Sequence, residues 1–154
     1  MPLDVVVFLE NPGKPLPIDL HLDPEGTGSL PGDLRFCEGI HVTGEAFAQL
    51  GTLYVRVFIR TEVEQRCRRC LVPLRSAIDL HESFEVDVPV GAISVDLLPQ
   101  ALAAVVGSLD PRPLCRRECR GLCPTCGEDL NADPAHSCRA PDEAPRRLGD
   151  FLRS

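Results

Sequence analysis

The spacing of the cysteines limits the folds that this chain can adopt. Seven of the eight cysteines, together with one histidine, occur as closely spaced pairs. The pairs are Cys67 and Cys70, Cys115 and Cys119, Cys123 and Cys126, and His136 and Cys138. A Cys-x2-Cys turn presents two thiolates on one side of a tight loop, which supplies half of a tetrahedral zinc site. The spacing therefore predicts that bound zinc organises the C-terminal part of the chain.

The eight ligands are predicted to divide into two sites. Cys123 and Cys126 lie close in sequence to His136 and Cys138, which predicts a compact local site, and Gly127 provides a residue that tolerates positive φ after the turn. The other four cysteines are predicted to form a second, long-range site that ties the end of a β-strand to a segment beyond a helix. Two zinc ions are therefore the expected cofactors. A single metal site and redox-active cysteine pairs are the alternatives.

The remaining cysteine and histidines lack ligand-spaced neighbours. Cys37 stands apart from the pairs and is predicted to be a buried, unreactive thiol. His21, His41 and His81 lie in or near strand-like segments and are predicted to be ordinary residues of those strands.

The distribution of apolar residues along the chain indicates the compartment, and so the redox environment, that we expect for this protein. Its first residues show no basic segment before an apolar run, as a secretory signal would. No stretch approaches the roughly 18–20 apolar residues of a membrane-spanning helix. We therefore expect a cytoplasmic protein without a membrane partner. In a reducing compartment, a cysteine-rich segment indicates metal or redox chemistry more than a disulfide scaffold.

Hydrophobic periodicity predicts an antiparallel sheet. Apolar and polar residues alternate over residues 40–48 and again over 53–63, on either side of a short Gln49-Leu-Gly turn, which is typical of a β-hairpin. Alternation over residues 78–88 predicts another strand that returns across the same sheet. The glycines and prolines of residues 23–33 predict a loop.

One helix is predicted near residues 96–109, with Asp96 as its cap and Pro99 in its first turn. Its apolar residues recur at helical spacing and are predicted to cover the sheet. They are Leu98, Leu102, Val105 and Leu109. The predicted fold class is therefore α+β, an antiparallel β-sheet body with one covering helix and a C-terminal Cys-rich zinc-knuckle segment. The body is expected over residues 1–111 and the Cys-rich segment and tail over 112–154.

Charge is unevenly distributed along the chain. The net charge of −7 argues against a generic polyanion-binding protein. Residues 76–111 contain six acidic residues and no lysine or arginine. Arginines instead flank the cysteine pairs, where they are predicted to form an RNA-binding or partner-binding surface. These arginines are Arg66, Arg68, Arg69, Arg112, Arg116, Arg117 and Arg120.

Three motifs contain or accompany the predicted ligands. They are Cys67-Arg-Arg-Cys-Leu-Val-Pro73, Asp96-Leu-Leu-Pro99 and Cys115-x3-Cys-Arg-Gly-Leu-Cys-Pro-Thr-Cys-Gly-Glu-Asp-Leu-Asn131. Together they resemble the YceD-like family of bacterial and plastid proteins, over residues 35–152. The chain departs from the usual family pattern at His136, where a cysteine is common, and at Ala144, where an aspartate is common. Zinc accepts imidazole as well as thiolate, so the first change preserves a ligand.

The resemblance implies a role in the accumulation of large-subunit ribosomal RNA. It implies a non-enzymatic factor in assembly of the large ribosomal subunit, with ribosomal RNA of that subunit or a large-subunit ribosomal protein as partner and no small-molecule substrate. A zinc-organised arginine surface would then contact RNA phosphates, with an affinity that depends on salt.

Three alternative functions fit parts of the sequence. A zinc-stabilised protein–protein interaction module would bind its partner without direct RNA contact, through a sheet edge or the acidic residues 76–111. A zinc enzyme would need an open coordination position and a general base. Both predicted sites are full, and Glu118 and Glu128 have no supporting residues, so no enzymatic activity is expected. A thiol redox switch would need reactive thiolates, which neighbouring arginines also favour.

Overall fold

The alternating segments at residues 40–63 fold into the predicted antiparallel hairpin, and the other strands extend from it. The computed structural model describes residues 2–24, 30 and 33–138. In chain order, the elements are β1 (Leu3–Asp4), α1 (Val6–Glu10), β2 (Leu16–Leu22), β3 (Arg35–Phe36), β4 (Ile40–Gln49), β5 (Thr52–Arg66), β6 (Pro73–Asp87), β7 (Ser94–Val95) and α2 (Leu98–Ser108). This mostly antiparallel sheet with two helices confirms the predicted α+β class.

The strand β5 is the centre of the main sheet. β4 pairs with it so that Val42 lies opposite Ile59. The turn between them, Leu50-Gly51, has φ values of 51° and 82°, and positive φ at both positions is typical of a tight hairpin turn. β2 extends the sheet beyond β4. β6 pairs with β5 on the other side along its whole length, as predicted for the returning strand, and β3 pairs with the last part of β5.

The two faces of the sheet differ because side chains alternate along each strand. On the core face, the buried apolar residues of β5 are Leu53, Val55, Val57, Ile59 and Val63. On the opposite face, which we call the outer face, Arg56, Phe58 and Arg60 of the same strand are exposed. Among the described residues, β6 is an edge strand because it pairs only with β5.

The helix α2 covers part of the core face, with its apolar stripe rotated by about one residue from the predicted one. Leu97, Ala101 and Val105 are fully buried, whereas the other predicted stripe residues are only half-buried. Those residues are Leu98, Leu102 and Leu109. The rotation arises because Leu97, the residue before the helix, already enters the core. The N-cap of the helix is Leu97 rather than the predicted Asp96, although Asp96 Oδ1 accepts a hydrogen bond from the Leu98 N–H at 3.0 Å.

An N-terminal apolar run covers another part of the core. Val5 and Phe8 are buried, and α1 packs against β4. Leu3 of β1 lies opposite Val95 of β7. This short pairing ties the start of the described chain to the segment that leads into α2.

Parts of the predicted organisation lie outside the described residues. They are the tail at 139–154, which includes Ala144, and most of the loop predicted at 23–33. Neither α1 nor α2, the helices of the described chain, has the length and apolar character that crossing a lipid bilayer requires.

Gly44 of β4 lies where a side chain would collide with β5. A Cβ atom on Gly44 would lie 2.2 Å from the carbonyl oxygen of Arg56. We predict that Gly44→Ala lowers the free energy of unfolding by about 2 kcal/mol, since overpacking a rigid interior typically costs about 1–3 kcal/mol. Urea denaturation measures this loss.

Gly107→Ala is the matched control for this substitution. A Cβ at Gly107, inside α2, meets nothing within 4 Å. Because alanine is the better helix former, this change should raise the free energy of unfolding by about 0.5–1 kcal/mol. Equal effects of the two substitutions would contradict the close approach of β4 and β5 at Gly44.

Candidate metal centres

The first cysteine pair lies in the loop that joins β5 to β6. Pairing of these strands ends at Arg66 and Pro73, so the loop between them presents its two cysteines at the end of the sheet. The segment after α2 returns to this loop, where the N–H of Arg68 donates to the carbonyl oxygen of Pro113 at 2.9 Å. This contact brings the next cysteine pair opposite the first.

Four cysteines converge there and form what we call the first cluster. They are Cys67, Cys70, Cys115 and Cys119, whose Sγ atoms all lie within 4.8 Å of one another. The Sγ atoms of Cys67 and Cys119 are 3.8 Å apart, and those of Cys70 and Cys115 are 3.6 Å apart. A tetrahedral ion held about 2.3 Å from each sulfur requires sulfur–sulfur separations of about 3.8 Å. The predicted long-range ligand set therefore has a geometry that could hold a metal ion.

The remaining predicted ligands form a second cluster within a short stretch of chain. They are Cys123, Cys126, His136 and Cys138, and their ligand atoms also lie within 4.8 Å of one another. Cys126 Sγ lies 3.4 Å from Nε2 of His136, and a sulfur and a nitrogen on one tetrahedral zinc ion are separated by about 3.5 Å. Cys123 is buried, whereas Cys126 is exposed. The predicted division of the eight ligands into two groups of four is the one that the structure brings together.

The two Cys-x2-Cys turns share one backbone conformation. In the first turn, the carbonyl oxygen of Cys67 accepts from the N–H of Leu71 at 2.9 Å, and the N–H of Cys67 donates to Val72 at 2.9 Å. In the second turn, the carbonyl oxygen of Cys123 accepts from the N–H of Gly127, also at 2.9 Å. Leu71 and Gly127 both have positive φ, 61° and 79°. Leu71 therefore occupies the position for which glycine is the favoured residue.

The two clusters are joined through Arg69. Its carbonyl oxygen accepts from the N–H of Leu122 at 3.1 Å, and its guanidinium donates to the carbonyl oxygen of Cys119 at 2.7 Å. Gly121 makes this approach possible, because a Cβ there would lie 2.9 Å from the Arg69 carbonyl oxygen. The first turn, the second cysteine pair (Cys115 and Cys119) and the second turn therefore form one continuous unit.

Asn131 provides another link between the clusters. It lies between the ligands of the second cluster, yet its Nδ2 donates to Cys119 Sγ of the first cluster at 3.5 Å. Its Oδ1 accepts from the N–H of Arg120 and from the guanidinium of Arg116, both at 2.9 Å. In the sequence, Asn131 is distinguished only as the last residue of a motif, because its partners are set by how the loops meet.

Backbone amides favour a thiolate at the first cysteine of each turn. Amides of Cys126 and Thr125 lower the pKa of Cys123 to about 6. Burial alone would raise the pKa of Cys67, but hydrogen bonds from the backbone, that of Cys70 first, lower it to about 6. Each turn is therefore prepared to present at least one deprotonated ligand near neutral pH.

Other thiols of the clusters hold their protons more tightly. Burial, followed by hydrogen bonding to Cys119, raises the pKa of Cys115 to about 12. Hydrogen bonding to Cys126, followed by burial, raises the pKa of Cys138 to about 11. Metal ligation requires thiolates, so ion binding must displace these protons. Metal retention should consequently weaken as the pH falls.

The predicted arginine surface divides into two groups. Arg69 donates to the carbonyl oxygen of Cys119, Arg116 to the Oδ1 of Asn131, and Arg120 to the carbonyl oxygen of Pro134, so these guanidinium groups hold the loops of the clusters together. The other four are exposed, and no hydrogen bond or ion pair joins their side chains to another residue of the described chain. They are Arg66, Arg68, Arg112 and Arg117.

Two features of the structure differ from the sequence expectations. Cys37, predicted to be buried, is exposed, because it follows the short strand β3 at the margin of the sheet. His21 and His41, predicted to be ordinary strand residues, meet on the outer face with Asp19. Their spacing in sequence does not reveal this grouping, since strand register brings them together.

Removing one ligand from each cluster tests their independence. We predict that Cys70→Ser releases one of two bound metal ions and that Cys126→Ser releases the other, as measured by metal content per chain. Cys70→Ser should also detach the Cys-rich segment from the sheet, because structural zinc contributes roughly 10–16 kcal/mol in small domains. If both substitutions removed the same single ion, the two-cluster assignment would be wrong.

Leu71 provides a test of the shared turn conformation. We predict that Leu71→Gly raises the free energy of unfolding of the metal-loaded protein by up to about 1 kcal/mol, since positive φ costs a non-glycine residue about 1–2 kcal/mol and the added chain entropy offsets part of the gain. The side chain is 48% exposed, so little packing is lost. Gly127→Ala is the matched control and should destabilise. Thermal unfolding that showed Leu71→Gly to be the less stable protein would contradict this account.

Comparison with known proteins identifies relatives over part of the chain. Curated proteins of Mycobacterium bovis and Mycobacterium tuberculosis, each named only as an uncharacterized protein, are 34% identical over 102 residues. The match covers 56% of this chain and 49% of each relative, so the chain spans about half the length of the curated relatives it matches. No protein-family model matches the chain, and no solved structure matches it.

Proposed function

We propose that each cluster binds one zinc ion and that both ions are structural. Four side-chain ligands of thiolate and imidazole type, arranged tetrahedrally, are typical of structural zinc sites. The imidazole of His136 in the second cluster favours zinc over an iron–sulfur centre, which thiolates usually hold. The ion in the first cluster would fix the Cys-rich segment to the sheet, and the ion in the second would fix the conformation of that segment.

The full ligand sets support a non-enzymatic role. A catalytic zinc site keeps a coordination position for water or substrate. Here each cluster brings four side-chain ligands to one centre, and thiolate donation reduces the Lewis acidity of the ion. The chemistry of the donor atoms therefore favours a scaffold over a catalyst.

The observation that carries the functional proposal is the group of four exposed arginines beside the first cluster. We call Arg66, Arg68, Arg112 and Arg117 the free arginines. Arginines on the outer face of the sheet differ, because Arg56 pairs with Glu45 at 3.3 Å and Arg60 with Asp79 at 2.8 Å. Within the described residues, the arginines without a hydrogen-bond or ion-pair acceptor are the four free arginines, which lie where the zinc-bound loops would hold them, and Arg35 of β3.

Exposed guanidinium groups without an intramolecular acceptor are suited to binding phosphate. Arg68 and Arg112 lie near each other, because the N–H of Arg68 bonds to the carbonyl oxygen of Pro113. Together with the resemblance of the cysteine motifs to the YceD-like family, this supports a cytoplasmic, non-enzymatic factor in assembly of the large ribosomal subunit. The free arginines would dock on large-subunit ribosomal RNA, and the net acidity of the chain would restrict contact to this surface.

A double substitution of free arginines tests RNA docking. We predict that Arg68→Ala combined with Arg117→Ala weakens binding to large-subunit ribosomal RNA fragments. The slope of log affinity against log salt should decrease by about 2, since each lost phosphate contact removes about 1 from that slope. Filter-binding titrations at several salt concentrations measure this change.

Arg56→Ala is the matched control, because it removes an arginine that already has a carboxylate partner. It should leave RNA affinity unchanged. Metal content and thermal unfolding should be normal in the double variant, since no described residue accepts a hydrogen bond from either side chain. Binding that depends neither on salt nor on the two arginines would contradict the proposal.

A second candidate function is protein–protein interaction through the edge of β6. This strand has 15 residues and pairs on one side only within the described chain, and a long unpaired edge can accept an added strand from a partner. A large-subunit ribosomal protein is the expected partner. Recovery of such a protein with the chain after nuclease treatment would favour this candidate, whereas recovery that requires intact RNA would favour RNA docking.

A further inference from the structure

We propose that Asp19, His21 and His41 form a third metal site, on the outer face of the sheet, for a divalent transition metal with nitrogen and oxygen ligands. The site is separate from the cysteine clusters and does not depend on the proposed function. The site uses two of the four histidines of the chain. A third histidine, His136, belongs to the second cluster.

Strand register places the three side chains together. β2 pairs with β4 so that His21 lies directly opposite His41. Asp19 precedes His21 by two residues on the same strand and therefore projects from the same face. The two imidazole rings are stacked with centroids 4.2 Å apart and an angle of 18° between their planes. Directly opposed residues on adjacent strands are the closest pairs that a sheet provides.

The donor atoms are close enough to share one ion. One ligand atom from each of the three residues lies within 4.8 Å of the others, and Nε2 of His41 lies 2.8 Å from Oδ1 of Asp19. Ligands at about 2.1 Å from an ion are separated by about 3.0–3.4 Å in octahedral or tetrahedral geometry. The Asp19–His41 pair is thus near the required separation, and rotation of the exposed His21 ring out of its stack on His41 would direct a ring nitrogen to the same ion.

The electrostatic surroundings leave the Asp19 carboxylate available to a cation. The nearest arginine in register is Arg60, which lies opposite His41 on β5. Its guanidinium is engaged by Asp79 on the next strand, at 2.8 Å. The local positive charge is therefore already compensated, and an incoming ion would share Asp19 only with the imidazole of His41.

The ligand chemistry identifies the class of ion. Two imidazoles and one carboxylate suit zinc, nickel or cobalt. Calcium requires more oxygen ligands than one carboxylate supplies. Three protein ligands leave at least one coordination position open, in contrast to the filled cysteine clusters. The ion bound here would consequently be exchangeable and accessible from solvent.

The histidine at position 81 offers a matched control on the same face. His81 stacks on Phe58 with ring centroids 4.6 Å apart, and no group of three potential ligand atoms that includes it occurs among the described residues. A metal that merely associates with exposed imidazoles would affect His81 as well as His21 and His41.

The test is a zinc chloride titration of the untagged full chain, already loaded with zinc at its cysteines, followed by NMR of the histidine rings. We expect the ring resonances of His21 and His41 to shift together and to saturate at one added equivalent, while those of His81 do not move. His41→Ala and Asp19→Asn should abolish the saturable shift, and His81→Ala should leave it unchanged.

Two results would overturn the proposal. One is a shift that fails to saturate or that involves His81 equally, which would indicate non-specific association of zinc with exposed imidazoles. The other is an unchanged titration in His41→Ala. Because the readout is the histidine rings, these outcomes are distinguishable from failure of the cysteine clusters to bind zinc, which would appear in the metal content of the starting protein.

Discussion

Four thiolates can share one ion only if the chain segments that carry them are also held in place. In the first cluster, two ligands come from the loop between β5 and β6, and the other two come from beyond α2. An ion bound by all four cysteines would close the chain between Cys70 and Cys115 into a loop. The entropic cost of closing a loop rises only slowly with its length. The pairing of β6 with β5 and the packing of α2 lower this cost before an ion binds. This closure places Arg112 and Arg117, which follow α2, beside Arg66 and Arg68 of the hairpin.

The sequence predicts those parts of the structure that follow from local periodicity and local spacing. Alternation identifies β4 and β5 because a sheet with one buried face requires apolar residues at every second position, and ligand spacing separates the two clusters because a tetrahedral site needs two close pairs. Other features depend on where distant segments meet. The stripe of α2 is shifted because Leu97 enters the core before the helix begins. Asn131 and Arg69 act through partners on other loops, and no pattern in the sequence distinguishes a guanidinium that bonds a carbonyl from one that faces solvent.

The distribution of charge connects the fold to the proposed function. Arg56, Arg60 and Arg75 of the sheet are paired with carboxylates on adjacent strands, which reduces the free positive charge of the acidic body. Arginines of the Cys-rich unit serve two purposes, since some brace the loops and others remain available to a ligand. Arg69, Arg116 and Arg120 hold the loops in place. The free arginines on those loops would lose less conformational entropy on binding, because the backbone that carries them is already fixed. An acidic protein can in this way present a small basic surface.

The placement of the first turn at the tip of a hairpin has a consequence for the order in which the protein is made. During synthesis, Cys67 and Cys70 leave the ribosome well before Cys115 and Cys119, whereas the ligands of the second cluster emerge close together. The tip of the hairpin therefore carries only half of its ligand set until Cys115 and Cys119 have been synthesised. The strands β5 and β6 can pair during this interval and keep the two thiols side by side. The segment that follows α2 then brings Cys115 and Cys119 to the hairpin tip and completes the first cluster.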